Sequence, residues 1–130
     1  MKEFVDKYGV SLLTAIGEHI FYVIVSVAIA VVIAMALAIL LSRFRKAAVV
    51  VMPLISVFQT IPGIVFIGLL MLRLGMTPVT VIMALSIYAV FPILKNAYQG
   101  FIDIDRSYIE VAKGCGMNKQ QIFLQVELPM

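Results

Sequence analysis

Cysteine, histidine and charge are scarce in this sequence: one Cys, one His and 13% charged residues in 130 positions. Cys115 alone excludes an internal disulfide and a cysteine-based metal site, and it reads as a small residue in a turn. His19 falls beside Tyr22 at the edge of an apolar run with no second ionisable residue inside it, so it reads as an edge residue rather than a proton relay. No Gly-rich phosphate loop and no Gly-Lys-Ser/Thr occurs, so no nucleotide site is visible. The cations do not cluster with aromatics, which argues against a nucleic-acid surface and leaves the net charge of +3 to membrane topology. No catalytic residue and no metal ligand emerges, and the eight scattered Met residues read as packing filler.

What fills the chain instead is apolar: 63% hydrophobic residues and a mean hydropathy of +1.11, outside ordinary soluble usage. Uncharged runs extend over 20–41, 47–72 and 74–94, each longer than the 18 residues that mark a membrane-spanning helix. The first run holds fourteen Val, Ile, Leu or Phe residues and one aliphatic hydroxyl, Ser26. At about −0.3 to −0.6 kcal/mol each they favour insertion by roughly −4 to −8 kcal/mol, with no charge opposing. This run is too long and too far from Met1 for a signal-peptide core. Residues 1–18 read as a short amphipathic external segment, with Phe4, Tyr8, Leu12 and Leu13 at helical spacing. The predicted fold is all-α and integral to the lipid bilayer: one domain over 1–130, with three transmembrane helices and then a polar segment, 105–130.

Basic residues set the orientation. Arg43, Arg45 and Lys46 lie between the first and second runs, and Lys95, Arg106, Lys113 and Lys119 follow the third; Lys2, Lys7 and Arg73 fall on the other side. Seven against three predicts an external N-terminus and a cytoplasmic 105–130 segment.

The second run is interrupted by Val57-Phe-Gln-Thr-Ile-Pro-Gly63. Pro62 has no amide hydrogen, which predicts an unpartnered Phe58 carbonyl and a broken helix. Gln59 and Thr60 then either bond the opened backbone or line a path through the membrane, and a kink filled by neighbouring helices is an equal alternative. Pro53 predicts a second bend or the helix start. In the third run Pro92 predicts a kink, Lys95 snorkels, and Tyr88 and Tyr98 read as interfacial aromatics.

The 105–130 segment has its own punctuation. Ser107 and Glu110 stand at capping-box spacing, predicting a helix from about Tyr108. Gly114 and Gly116 can supply a left-handed stop, Asn118 and Gln121 a second capping signal, and Pro129 an end. Glu110, Ala112, Gly116 and the pair Leu128-Pro129 lie at the spacing of E-x-A-x-x-x-G followed by L-P, with Val111 where Ala is usual. This resembles the cytoplasmic "EAA" loop of binding-protein-dependent ABC importer permeases. Together with Phe58-Gln-Thr-Ile-Pro62 and Leu85-Ser-Ile-Tyr-Ala-Val-Phe-Pro-Ile-Leu-Lys-Asn-Ala-Tyr-Gln-Gly100, the chain resembles permease subunits of osmoprotectant importers for glycine betaine, carnitine and choline.

That resemblance implies ATP-driven import by alternating access at a prokaryotic inner membrane. It implies a cytoplasmic ATP-binding subunit, an external substrate-binding protein and a second permease subunit as partners, with no cofactor held by the permease itself. Glu110, Ala112, Gly116, Leu128 and Pro129 would form the ATPase-coupling knob; Gln59, Thr60 and Pro62 are candidates for the translocation path. Tyr22, Tyr88 and Phe91 do not have the spacing of a cation–π cage, which in this family belongs to the binding protein. The resemblance also implies further spans after Leu128-Pro129, so the chain reads as a fragment, a truncated frame or one piece of a split permease. An importer of amino acids such as methionine, and a non-transporting membrane remnant or scaffold, stay open as alternatives.

Overall fold

The computed structural model describes residues 2–130, with side chains from Tyr8 onward. Phe4, Lys2 and Lys7 of the predicted external segment therefore have side chains outside the described residues. The described chain is helical from end to end: α1 (Lys2–Arg43), α2 (Arg45–Phe58), α3 (Gly63–Leu74), α4 (Pro78–Asp103), α5 (Arg106–Gly114), α6 (Lys119–Ile122) and a π-helical stretch, Phe123–Glu127. Apolar sequence takes this form because a backbone in lipid must satisfy its own polar groups.

Two of these helices, α1 and α4, are long and apolar enough to cross a membrane. At 1.5 Å per residue the 42 residues of α1 reach about 63 Å, so the amphipathic N-terminal segment and the first apolar run form one rod. The second run is not a straight helix. It is the pair α2 and α3, bent by 89° at Gln59–Pro62, and can be counted as a third span only if the bent pair is taken together. Pro53 neither starts nor ends a helix; it lies inside α2, which begins at Arg45. The third apolar run is shared: Leu74 closes α3, Gly75 turns at φ +80°, and α4 starts at Pro78 with the Thr77 hydroxyl accepting from the Thr80 amide at 3.2 Å. Helix α4 continues past Pro92 to Asp103.

The principal packing joins α1 to α4. Ser26, Ala30, Ala34 and Ala38, each four residues from the next, are buried along one stripe of α1. Small side chains at this spacing let backbones approach closely, which matters where lipid supplies no hydrophobic drive for helix association. Thr80, Ala84, Ser86 and Leu94 are the buried residues of α4. The Ser26 hydroxyl donates to the Ile82 carbonyl at 3.3 Å, and the same carbonyl accepts from the Ser86 hydroxyl at 2.7 Å. Ala34, Ala38, Leu41, Ala48, Ile55 and Leu94 form one cluster, with Phe91, Tyr98 and Phe101 against it. Every buried side-chain polar atom among the described residues has a hydrogen-bond partner. The opposite face of α1 is apolar and exposed, as at Val32 (71%), which is what a lipid-facing surface requires.

At the other end Arg43 of α1 and Phe101 of α4 both meet the Phe123 ring. The Ser26–Ile82 hydrogen bond toward one end and the shared Phe123 ring at the other make α1 and α4 parallel. The segment from Arg45 to Thr77 therefore carries the chain back from one end of the pair to the other.

Candidate functional site

Two features stand out from the helix pair: the helix–corner–helix at the C-terminal end, and the elbow between α2 and α3. The corner begins where Ile104 goes extended (ψ 122°) and ends α4. Asp105 then caps α5, its carboxylate accepting the Ser107 amide at 2.9 Å. The predicted Ser107–Glu110 capping box is thus corrected. Ser107 already lies in the first turn, because the carboxylate two residues earlier satisfies the free amide and favours the positive end of the helix. Hydrogen bonds from the Ser107 amide and side chain hold the Asp105 carboxyl below its ordinary pKa.

The C-terminus of α5 closes as a Schellman motif. The Gly116 amide donates to Lys113 O at 2.9 Å and the Met117 amide to Ala112 O at 3.1 Å, with Gly116 at φ +79°. Gly114, the other sequence candidate for this stop, is an ordinary helical residue. A Cβ at Gly116 would meet nothing within 4 Å, so conformation, not space, demands glycine there. Beyond the corner Asn118 and Gln121 form the reciprocal capping box that their spacing predicts, at 2.8 and 2.9 Å. The chain continues as the π-helical stretch, closed by the Leu128 amide on Phe123 O at 2.9 Å. Glu110, Gly116, Leu128 and Pro129 are exposed; Ala112 is buried with Ile122 between the two arms.

Phe123 ties this corner to the helix pair. Its ring stacks on Phe101 (centroids 6.3 Å apart, 19° between planes), and the Arg43 guanidinium lies 5.8 Å from its centroid. Such a cation–π contact adds about 0.5–1 kcal/mol at an exposed site. These three residues had no signal in the sequence, being 22 to 80 positions apart.

At the elbow the Phe58 carbonyl is not left open, as the missing Pro62 amide predicts. It accepts from the Ile61 amide at 3.2 Å, because the last turn tightens to i→i+3 bonding. The Thr60 hydroxyl donates to Val57 O at 2.7 Å, so this polar side chain serves the backbone of the break. Gln59 is half-buried beside it, and Pro62 precedes α3 in an extended conformation (ψ 132°). An aromatic group braces the elbow: Phe58 stacks on Phe91 at 5.7 Å, and Tyr88 meets Phe91 edge-on at 6.4 Å. A Cβ at Gly63 would stand 3.4 Å from the Tyr88 ring. Tyr88 is half-buried against α3, and Tyr22 pairs with Phe21 instead of this group. Along α2 the elbow lies about 21 Å from Arg45, more than half of a hydrocarbon core about 30 Å thick. The structure does not bring the elbow residues and the corner residues together.

Residues 10–130 match the family described as binding-protein-dependent transport system inner membrane component. The chain is 40% identical over 92 residues to the choline transport system permease protein OpuBD of Bacillus subtilis (strain 168), covering 71% of this chain and 41% of that protein. It is 34% identical over 126 residues to the carnitine transport permease protein OpuCB of Listeria monocytogenes, covering 97% and 58%. To the glycine betaine/carnitine/choline transport system permease protein OpuCB of Bacillus subtilis (strain 168) it is 32% identical over 130 residues, covering 100% and 60%. The chain spans about half the length of these relatives. No solved structure matches it.

Proposed function

The chain belongs to the binding-protein-dependent transport system inner membrane components, and on that premise we propose that it forms part of a permease that imports glycine betaine, carnitine or choline. The observation that carries the substrate class is that relatives similar along this chain are named for those three quaternary amines. The ATP that drives import is hydrolysed by a separate cytoplasmic subunit. An external binding protein delivers the substrate, and a second permease subunit completes the membrane pathway.

In this reading α1, the bent pair α2–α3 and α4 are three crossings of the prokaryotic inner membrane, with the N-terminus outside. Parallel α1 and α4 support it, since a chain that crosses twice in one direction has to return between them. Glu110 lies on the exposed side of the docking helix, and Ala112 lets its two arms close. Gly116 sets their angle, and Leu128-Pro129 leads the chain back toward the membrane. When the ATPases close, the corner moves and Phe123 passes that movement to α1 and α4 through Arg43 and Phe101. The elbow at Gln59, Thr60 and Pro62 supplies the irregular backbone at membrane depth that transporters use beside their substrate path.

The test is uptake by a complete permease containing this segment, expressed with its ATPase and binding protein. Labelled betaine, carnitine or choline should enter in a manner dependent on ATP and on the binding protein, and should restore growth at high osmolarity. Gly116→Val should cripple uptake while leaving insertion intact. Uptake of methionine with no response to any quaternary amine would reassign the substrate.

A further inference from the structure

At the cytoplasmic end of the bundle, Arg43 from α1, Arg45 from α2 and Arg106 from α5 line one cleft of about 240 Å³. Arg43 and Arg45 flank the break at Phe44, and the fold brings Arg106 to them from 61 residues further along the chain. Glu127 is the one carboxylate lining it, so positive charge is in excess. Among the described residues none of the three arginines is salt-bridged, and Arg43 makes only its contact with the Phe123 ring. Ser42 adds a hydroxyl to the lining, and Phe101, Ile102 and Ile104 at the end of α4, with Ile109 of α5, form its apolar side.

We propose that this cleft seats a phosphate group, and that the group is the phosphodiester of an anionic phospholipid. Guanidinium forks match phosphate oxygens in pairs, and three of them lining one cleft can share a single tetrahedral head. The cleft lies where the apolar part of α4 gives way to the polar corner, the level at which lipid phosphates stand. Basic pockets between membrane helices on this side suit anionic headgroups. The apolar wall distinguishes a lipid from free phosphate: an acyl chain can continue along the exposed side of α4, whereas an inorganic ion has no use for it. The site rests on the proposed orientation, which puts this end of the bundle at the inner leaflet, and it is independent of the substrate. Because it bridges α1, α2 and α5, an occupant would stiffen the joint between corner and membrane.

The test places the purified chain in nanodiscs of phosphatidylcholine with or without phosphatidylglycerol and counts retained lipids by native mass spectrometry. One phosphatidylglycerol should be retained per chain in preference to phosphatidylcholine. Arg43→Gln, Arg45→Gln and Arg106→Gln should each lower that preference by about five-fold, as expected for one cation near an anionic headgroup. Lys46→Gln, a neighbouring cation outside the cleft, should change it less than about two-fold, since a screened surface charge adds little. Arg→Lys variants at the three positions keep the charge, insert as the wild type does, and should still lose part of the preference. In parallel, inorganic phosphate is added to phosphatidylcholine nanodiscs and thermal stability is read. Stabilisation by phosphate without any lipid preference would assign the cleft to a free anion and overturn the lipid proposal. Equal retention of the two lipids, or a preference that survives the triple Arg→Gln variant, would overturn it as well.

Discussion

The Ser26 hydroxyl donates to the carbonyl of Ile82, 56 residues further along the chain, at 3.3 Å. With Arg43 and Phe101 meeting on Phe123 at the opposite end, this bond makes α1 and α4 parallel. Parallel neighbours oblige the intervening α2–α3 pair to carry the chain back, elbow included. The geometry of the bundle thus sets the direction of α1 relative to α4, and the charge asymmetry of the sequence alone predicts which end faces inward.

That orientation is open to labelling. In a Cys115→Ala background, Met76→Cys should react with a membrane-impermeant thiol reagent in intact cells, and Lys46→Cys only after the membrane is breached. Met76 is chosen because it is 86% exposed, whereas neighbouring Gly75 has φ +80° and would be strained by any side chain. Labelling of the Lys46 position from outside would invert the topology and remove the corner from the cytoplasm.

The stripe on α1 predicts a contrast of size. Ala34→Leu forces bulk between α1 and α4 and should destabilise by about 1–3 kcal/mol, whereas Val32→Leu on the exposed face should be near neutral. Ser26→Ala removes one interhelical hydrogen bond, and such bonds average only about 0.6 kcal/mol in membranes. Close packing therefore outweighs the hydrogen bond at this interface. Thermal unfolding in detergent would show it, and equal losses for Ala34→Leu and Val32→Leu would count against the parallel pair.

The two corner glycines should respond in opposite directions. Gly116→Ala places a Cβ at φ +79° and should cost roughly 1–2 kcal/mol. Gly114→Ala, in ordinary helix with open space around it, should stabilise by about 0.5–1 kcal/mol. Proteolytic sensitivity of the segment, compared between the variants, reads both signs. The same direction for both would mean that the Schellman geometry is not maintained.

Asp105 predicts a pH response. Its carboxyl is held below the ordinary value, first by the Ser107 amide and then by the Ser107 side chain, so folding favours the ionised form. The cap is fully present above the ordinary carboxylate pKa and is lost as pH falls through the lowered one. Hydrogen-exchange protection of the Ser107 amide should fall on acidification below the ordinary carboxylate range. Asp105→Asn, which caps without ionising, should lose that pH dependence and keep the protection. Persistence of the acid response in Asp105→Asn would place its origin elsewhere.

The membrane helices were legible because nothing in lipid competes with apolar sequence, and uncharged runs announce themselves. The breaks between them were legible only in outline. Pro62 marked the elbow, but the rescue of the Phe58 carbonyl by Ile61 depends on how the last turn tightens, which no spacing reveals. Asp105 and Ser107 are both capping residues, and the extended Ile104 before them decides in favour of Asp105. Gly114 and Gly116 could each supply the helix stop, the motif spacing pointed to Gly116, and its φ of +79° bears that out. The Ser26-Ala30-Ala34-Ala38 stripe was present in the sequence as a period of four small residues, hidden within a run conspicuous for its large ones. Phe123, Arg43 and Phe101 had no such signal, since only the fold makes them neighbours.

Helix α1 has no proline between its first and last residues and is about twice as long as the hydrocarbon layer is thick. A rod of that length is a lever. Its Arg43 end rests on the ring of Phe123, and its N-terminal end lies about 63 Å away. A tilt of about 5° at the Phe123 contact sweeps the N-terminal tip through about 5 Å, with no proline kink along the way. Small displacements of the corner would thus arrive magnified at the N-terminal end of α1.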